Sequence, residues 1–287
     1  MTGQELSMLQ KLPLDLKIEK SKQRIREYYN HYAGKVYVSF SGGKDSTVLL
    51  DIVRQEFPDV IAVYVDTGLE FPEIKKFVKT IDNVKILRPE MNFTQVIKNY
   101  GYPVISKEIA YTIYYARKGS QWAIDRLNGK HSYGNHAKYK FLLDADFKIS
   151  SFCCDIMKKR PVKKFEKETG LHPIVGTMAD EGGQRKSAYL KNGCNSFSGV
   201  RPMSTPLGFW KEEDIWEYIH KFGLLYSSIY DCGYSRTGCM FCMFGAHLEK
   251  EPNRFQLMKQ THPQIYDYCI NTLKLGEVLD FLGIKYK

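Results

Sequence analysis

The chain of 287 residues contains no apolar run approaching the roughly eighteen residues that cross a bilayer, so no transmembrane helix is expected. Its first residues, MTGQELSMLQKLPLDLK, have no apolar signal core, and a cytoplasmic protein with no membrane partner is expected. No internal repeat or low-complexity tract is present. Acidic residues are in deficit: 32 Asp and Glu against 42 Lys and Arg leave a formal net charge of +10. That excess favours an anionic partner, whether nucleotide, sulfate ester or nucleic acid, or else a generally basic, soluble surface. The cysteines lack the even count and short chain of a secreted disulfide framework; there are seven. Cys153–Cys154 and Cys232, Cys239 and Cys242 cluster, with Cys194 and Cys269 alone, and in a cytosolic protein such clusters point to metal or redox chemistry.

With 43% hydrophobic residues the chain can bury one large core, or a core plus a small appendage. PLDLKIEKSKQRIREYYNHY (13–32) reads as a helix started by Pro13, with Leu16, Ile18, Ile25, Tyr29 and Tyr32 on one face. An alternation follows. KVYVSF (35–40), VIAVYVD (60–66) and VKIL (84–87) read as strands; Asp45–Glu56 and Phe71–Thr80 read as the helices between them. HPIVGT (172–177) is a further core strand and Lys211–Phe222 a further helix. Strands alternating with helices predict an α/β fold: a parallel twisted sheet with helices on both faces. The expected division is a helical segment over 1–34, a nucleotide-binding domain over 35–230, and a Cys-containing helical segment over 231–287 packed on the same core. Residues 117–140 break the pattern. They are basic and interleaved with Trp122, Tyr133 and Tyr139, which suits either a nucleic-acid contact or a solvated insertion.

SFSGGKDS (39–46) follows the first strand and opens a helix, and a helix N-terminus attracts phosphate through its free N–H groups and dipole. Gly42 and Gly43 let backbone approach closely, Ser41 and Ser46 offer hydroxyls, Lys44 adds charge, and Asp45 could hold Mg²⁺ against phosphates. The spacing is not the GxxxxGK[ST] of the P-loop. The second strand ends at Asp66-Thr67-Gly68, expected to border the same crevice outside the carboxyl ends of the strands. Asp66 then accepts from a ribose hydroxyl or the adenine amine, or merely caps a turn. Cys239-Met-Phe-Cys242 has metal-ligand spacing, but a zinc ribbon normally shows two such knuckles, and here the other pair is the adjacent Cys153–Cys154. Adjacent thiolates suit a larger cluster whose separate irons each take one, with zinc or plain reduced cysteines as the alternatives. Lys158, Lys159, Arg160, Lys163, Lys164 and Arg236 would offset the negative charge of such a site.

SGGKDS in its strand–loop–helix setting resembles the PP-loop signature of the ATP pyrophosphatase (adenine nucleotide alpha hydrolase-like) superfamily. The DTG–FPE turn, CC-DIMKKRP, Arg201-Pro202, WKEEDIWEYI (210–219) and the CC…CxxC set together resemble the phosphoadenylyl-sulfate (PAPS) reductase family over residues 35 to 245. The resemblance implies nucleotide contacts from Ser39, Ser41, Gly42, Gly43, Lys44, Asp45, Ser46, Asp66, Thr67 and Gly68. It implies a 4Fe–4S cluster on Cys153, Cys154, Cys239 and Cys242, with Arg185 and Arg201 near the anionic end of the ligand. Reductases of this family attack sulfur with a cysteine in an ECGLH-like tail, whereas this chain ends GEVLDFLGIKYK. Cys269 falls near the right place but reads as a buried helix cysteine, which is inert.

The expected function is therefore that of a PP-loop iron–sulfur enzyme of sulfur metabolism. With Lys44, Asp45 and Arg185 as its reactive groups, it is expected to use ATP to adenylate an acceptor and transfer sulfur to it, a nucleic acid (DNA or tRNA) being one candidate acceptor. Reduction of adenylyl sulfate or its 3′-phosphorylated form to sulfite, with a thiol reductant and Cys269, Cys194 or Cys232 as nucleophile, is the alternative; a non-catalytic nucleotide or nucleic-acid-binding module is the third. A sulfur donor or reductant is an expected partner, and a homodimer is an allowed assembly.

Overall fold

The computed structural model describes residues 1–131, 134–199 and 201–287; Tyr133 of the basic segment lies outside the described residues. The chain forms two compact units interleaved in sequence. The first comprises Met1–Asp66, Pro72–Leu87 and Val162–Asp231, the second Thr67–Phe71, Arg88–Pro161 and Cys232–Lys287.

The first unit is built on a mostly parallel sheet of β1 (Val36–Ser39), β2 (Ala62–Val65), β3 (Val84–Leu87), β4 (His172–Val175), β5 (Asn195–Ser196) and β6 (Met203–Ser204), in the order β3-β2-β1-β4-β6-β5. Only the β5–β6 pair is antiparallel. Val38 of β1 pairs with Ala62 on one side and Ile174 on the other. Val36, Tyr37 and Val38 are all buried, as a near-continuous apolar run in a central parallel strand requires. The chain moves outward from β1 through β2 to β3, then returns to place β4 on the other flank of β1. This reversal makes the carboxyl ends of β1 and β4 the switch point of the sheet, where a crevice opens in α/β folds.

The helix Leu14–His31 buries Leu14, Ile18, Ser21, Ile25 and Tyr28, a spacing of four and three residues that keeps one face inward. Leu16, expected on that face, is 53% exposed. Its turn is occupied instead by Lys17, which is 1% exposed and donates to both carboxylate oxygens of Asp214, at 2.7 and 2.6 Å. Ser21 donates to Pro206 O at 2.9 Å and accepts from Trp210 Nε1 at 3.0 Å. The buried seam is thus partly polar: Lys17 and Ser21 meet specific partners, whereas the Tyr28 hydroxyl is buried with no hydrogen-bond partner.

In the second unit the short strands Val104–Ile105 and Met243–Phe244 pair in parallel and hold the end of the CxxC segment. The basic segment contains a helix over Gln121–Leu127 and the start of a 3₁₀ helix at Ala137. Arg117 donates to the carbonyls of Phe147, Leu142 and Ala145, and Arg126 to Gly134 O and the Glu108 carboxylate. Two of its cations therefore serve the fold. Trp122 remains 47% exposed, with the Arg126 guanidinium 4.9 Å from its ring centre. No helix among the described residues is long and apolar enough to cross a membrane.

Candidate functional site: a phosphate loop and a set of four thiols

The loop after β1 is shaped by close approach. Gly42 has φ +74, and a Cβ there would lie 2.8 Å from Val78 Cγ2 and 2.9 Å from Ile74 Cγ2. Gly176, just past β4, lies so near the loop that a Cβ would fall 3.1 Å from the Asp45 carbonyl oxygen. The loop is knitted by its own hydroxyls: Ser41 N–H donates to Ser46 Oγ at 3.1 Å, and Ser46 and Thr47 donate to Gly43 O at 2.9 and 3.0 Å. The helix Lys44–Glu56 begins with Gly43 as its cap, so the capping site carries no side-chain oxygen. An incoming oxygen can therefore serve the first amides.

One such oxygen is already there. Lys44 N–H donates to the Tyr230 hydroxyl at 2.8 Å. The Lys44 ammonium, 4% exposed, pairs with Glu212 Oε1 at 3.0 Å and lies 5.1 Å from the Tyr230 ring centre. A phenol oxygen and a carboxylate oxygen thus stand on the two Lys44 donors a phosphate would use. Sequence reasoning missed both residues; Glu212 sits in the WKEEDIWEYI segment, which is read as a helix and a family motif but with no residue assigned to the site.

Asp45 has a buried Oδ1 with no hydrogen-bond partner. Burial lifts its carboxyl to about 6; Lys44 opposes the rise, Glu181 and Glu212 add to it, and Arg185 opposes it. Arg185 itself pairs with Glu181. An orphaned, desolvated carboxylate beside cation-binding neighbours fits a divalent cation brought by a nucleotide. The linkage sign is unusual for an acid. The folded pKa lies above the ordinary value, so the folded state holds the proton more tightly and stability falls as pH rises from about 4 through 6. Asp45→Asn should raise stability at pH 7.5 by about 1–3 kcal/mol, raise it little at pH 4, and abolish nucleotide turnover. Thermal unfolding across that range checks it; an unaltered slope would contradict the burial of this charge.

The remaining nucleotide candidates are engaged. Asp66 pairs with Lys75 at 3.2 Å. Arg201 is held by Glu166, at 2.6 Å, and by the Tyr37 hydroxyl at 3.5 Å. Ser39 ends β1 and pairs with Val63 and Val175. In the second unit, Thr67 is buried and its hydroxyl donates to Glu70 Oε1 at 2.7 Å, while Gly68 takes a positive φ of 80.

The second unit also brings the four cysteines into one electrostatic neighbourhood. Burial pushes the Cys153 thiol far up, and the charges of Cys239, Cys154 and Cys242 push it further. Cys239 is pushed up to about 11 by burial, against the lowering charge and hydrogen bond of Lys158. Cys242 is raised by burial, opposed by the Phe244 backbone and Arg254. Lys158 lies 3.7 Å from Glu70 Oε1; burial would lower its pKa, but Cys239 and Glu70 raise it. Glu70, itself buried, therefore ties Thr67 to the lysine beside the thiols. None of the seven cysteines is in a disulfide among the described residues. Among the described residues, no three His, Cys, Asp or Glu side chains converge closely enough to hold one metal ion. Cys269 is fully buried in the turn Tyr268–Thr272, and Cys194 donates to Thr205 O at 3.4 Å with its pKa pushed up to about 12 by burial.

Known proteins resemble this chain in sequence. A protein of Methanocaldococcus jannaschii is 26% identical over 265 residues, covering 89% of this chain and 52% of its own. A second from that organism is 24% identical, with 44% of its length covered, so the chain spans about half the length of these curated relatives. Adenosine 5'-phosphosulfate reductase 2 of Bacillus subtilis is 24% identical over 221 residues, 75% of each chain. The crystal structure of PAPS reductase from Candida auris aligns at a TM-score of 0.47 and 16% identity, over 83% of this chain and 96% of that one. The model of the phosphoadenosine phosphosulfate reductase domain matches residues 35–112 and 117–244, spanning the SGGKDS loop and Cys153, Cys154, Cys239 and Cys242, and on that match the chain belongs to the phosphoadenosine phosphosulfate reductase domain family.

Proposed function

We propose that this chain is an adenine-nucleotide-dependent enzyme of sulfur metabolism that activates an acceptor with ATP and exchanges the activated oxygen for sulfur. The acceptor oxygen attacks the α-phosphorus and pyrophosphate leaves. A sulfur nucleophile then bonds to the activated centre and AMP departs. The observation that carries this reading is the unpartnered, buried Asp45 Oδ1 within the phosphate loop. A pyrophosphate leaving group needs a cation, and Asp45 would hold Mg²⁺ there. Release of sulfite from adenylyl sulfate involves no such leaving group. The loop amides and Lys44 would bind and orient the phosphates, and water exclusion would strengthen both contacts.

Cys153, Cys154, Cys239 and Cys242 would hold a 4Fe–4S cluster, which when bound supplies redox or sulfur-binding chemistry. The exposed Trp122 and the basic segment would contact a nucleic-acid acceptor, DNA or tRNA.

Reduction of adenylyl sulfate is the second reading, favoured by the match to the reductase domain family. Against it stands Cys269, whose burial holds the thiol protonated. Side-by-side assays decide: pyrophosphate from ATP supports the first reading, and sulfite from adenylyl sulfate the second. Cys269→Ser should leave the measured turnover within about twofold of wild type, because a buried, protonated thiol is no nucleophile; its loss would restore the reductase assignment.

A further inference from the structure

The helix Lys107–Ala116, in the second unit, buries Ile109, Ala110, Thr112, Ile113 and Ala116. Its opposite face carries Tyr111 and Tyr115, four residues apart with ring centres 4.5 Å apart, and Lys118 follows one turn on. A surface helix ordinarily turns polar or charged residues outward; here it turns rings. Tyr111 is 41% exposed, and the exposed Trp122 of the helix Gln121–Leu127 meets it edge-on at 6.3 Å. The rings are held from below. Arg126 lies under Trp122 and donates to Gly134 O and the Glu108 carboxylate. His136 hydrogen-bonds Arg126 Nη2 and Thr112 Oγ1, each at 3.2 Å, which ties the two helices together. Rings fixed in advance lose little freedom when a flat ligand stacks on them.

The charge around them is positive. Between 107 and 140 seven Lys and Arg meet two carboxylates, and both carboxylates are spent: Glu108 on Arg126, and Asp125 on Lys130 at 2.8 Å. Three other lysines have neutral partners. Lys118 lies 4.4 Å over the Tyr114 ring, Lys138 lies 4.8 Å over the Tyr139 ring, and Lys140 donates to Asn128 Oδ1 at 2.8 Å. Protein interfaces are depleted in lysine, so exposed rings among such lysines make a poor surface for another protein. They suit a strand that brings flat bases and phosphates together. A duplex keeps its base faces inside its own stack and cannot offer them. We propose that Tyr111 and Trp122 stack unpaired bases of a single-stranded nucleic acid, with Lys118, Lys138 and Lys140 on its phosphates. The inference rests on the nucleic-acid acceptor of the sulfur-transfer reading and narrows it to single strands. None of these contacts uses the sugar, so DNA and RNA strands serve alike.

The test is fluorescence anisotropy at low salt. The chain as purified is titrated into labelled mixed-sequence single strands of DNA and of RNA, and into the blunt DNA duplex of the same sequence. Both single strands should bind at least about tenfold tighter than the duplex. A purely electrostatic surface gives the reverse, because the duplex carries its charge at higher density. Trp122→Ala with Tyr111→Ala should weaken single-strand binding at least about tenfold. Trp122→Phe with Tyr111→Phe keeps both rings and should stay within about threefold of wild type, which excludes misfolding as the cause. Lys118→Gln with Lys140→Gln should lower the slope of log affinity against log salt by about 1.4. The proposal is overturned if the duplex binds as tightly as the strands, if the Ala variant binds as wild type does, or if the Phe variant loses as much as the Ala variant. It is also overturned if phosphatidylserine vesicles, and not the strands, bind through the two rings. Pyrophosphate release from ATP is read separately. Strand binding without that release keeps this surface and loses the ATP reading, and release without strand binding loses the surface alone.

Discussion

Lys44→Ala should lower the proposed pyrophosphate release from ATP by about a hundred- to a thousandfold, the cost of removing one preorganised donor from a developing charge. The ammonium is 4% exposed and held 3.0 Å from Glu212, so its position is set before any nucleotide arrives. Its removal leaves Glu212 with a side chain that is 53% exposed, which water can solvate, so the fold should survive. The four thiols belong to the other compact unit and should keep whatever visible spectrum the purified protein shows. Tyr230→Phe is the companion experiment. It keeps the ring under the Lys44 ammonium and deletes the oxygen that accepts from the Lys44 amide. Nucleotide should then bind several-fold tighter, because one donor no longer has to exchange partners. Turnover of Lys44→Ala at the wild-type rate would remove the loop from the chemistry altogether.

The largest loss of stability is expected from Lys17→Ala, about 3–5 kcal/mol, measured by chemical denaturation. Lys17 and Asp214 have side chains 2% and 8% exposed, with both carboxylate oxygens bonded to the one ammonium. Deleting the lysine strands a buried charge whose remaining partner is the Lys211 amide, at 2.7 Å. Lys17→Met combined with Asp214→Asn removes both charges, keeps the bulk, and should recover most of the loss. A single-variant loss under about 1 kcal/mol would mean that water reaches the pair, as it does surface ion pairs.

Several features of the fold are legible in the sequence. A near-continuous apolar run such as VIAVYVD suits a strand buried on both faces, and it forms β2. SGGKDS could be placed at a strand–helix junction because glycines, hydroxyls and a lysine in that order have few other uses, and Gly42 does take a conformation closed to other residues. The burial of Cys269 followed from its place among apolar helix neighbours. The face of the first long helix was read one step off, because Leu16 was counted as core by its chemistry whereas the helical turn buries Lys17 in its place. No local pattern announces that a lysine will be buried. Its partner, Asp214, lies far along the chain.

The sequence by itself determined the alternation of strand and helix, the phosphate loop and the pairing of cysteines, because each rests on residues adjacent along the chain whose spacing carries its own geometry. Only the tertiary structure decided that Tyr230 and Glu212 stand on the Lys44 donors, that Asp45 keeps a buried oxygen without a partner, and that Glu70 and Lys158 back the thiols. It also decided that the chain passes from one compact unit to the other at Asp66–Thr67 with no linker to mark the crossing. Those facts depend on which distant segments meet and on how much water is excluded where they meet, and neither quantity is carried by any short stretch of residues.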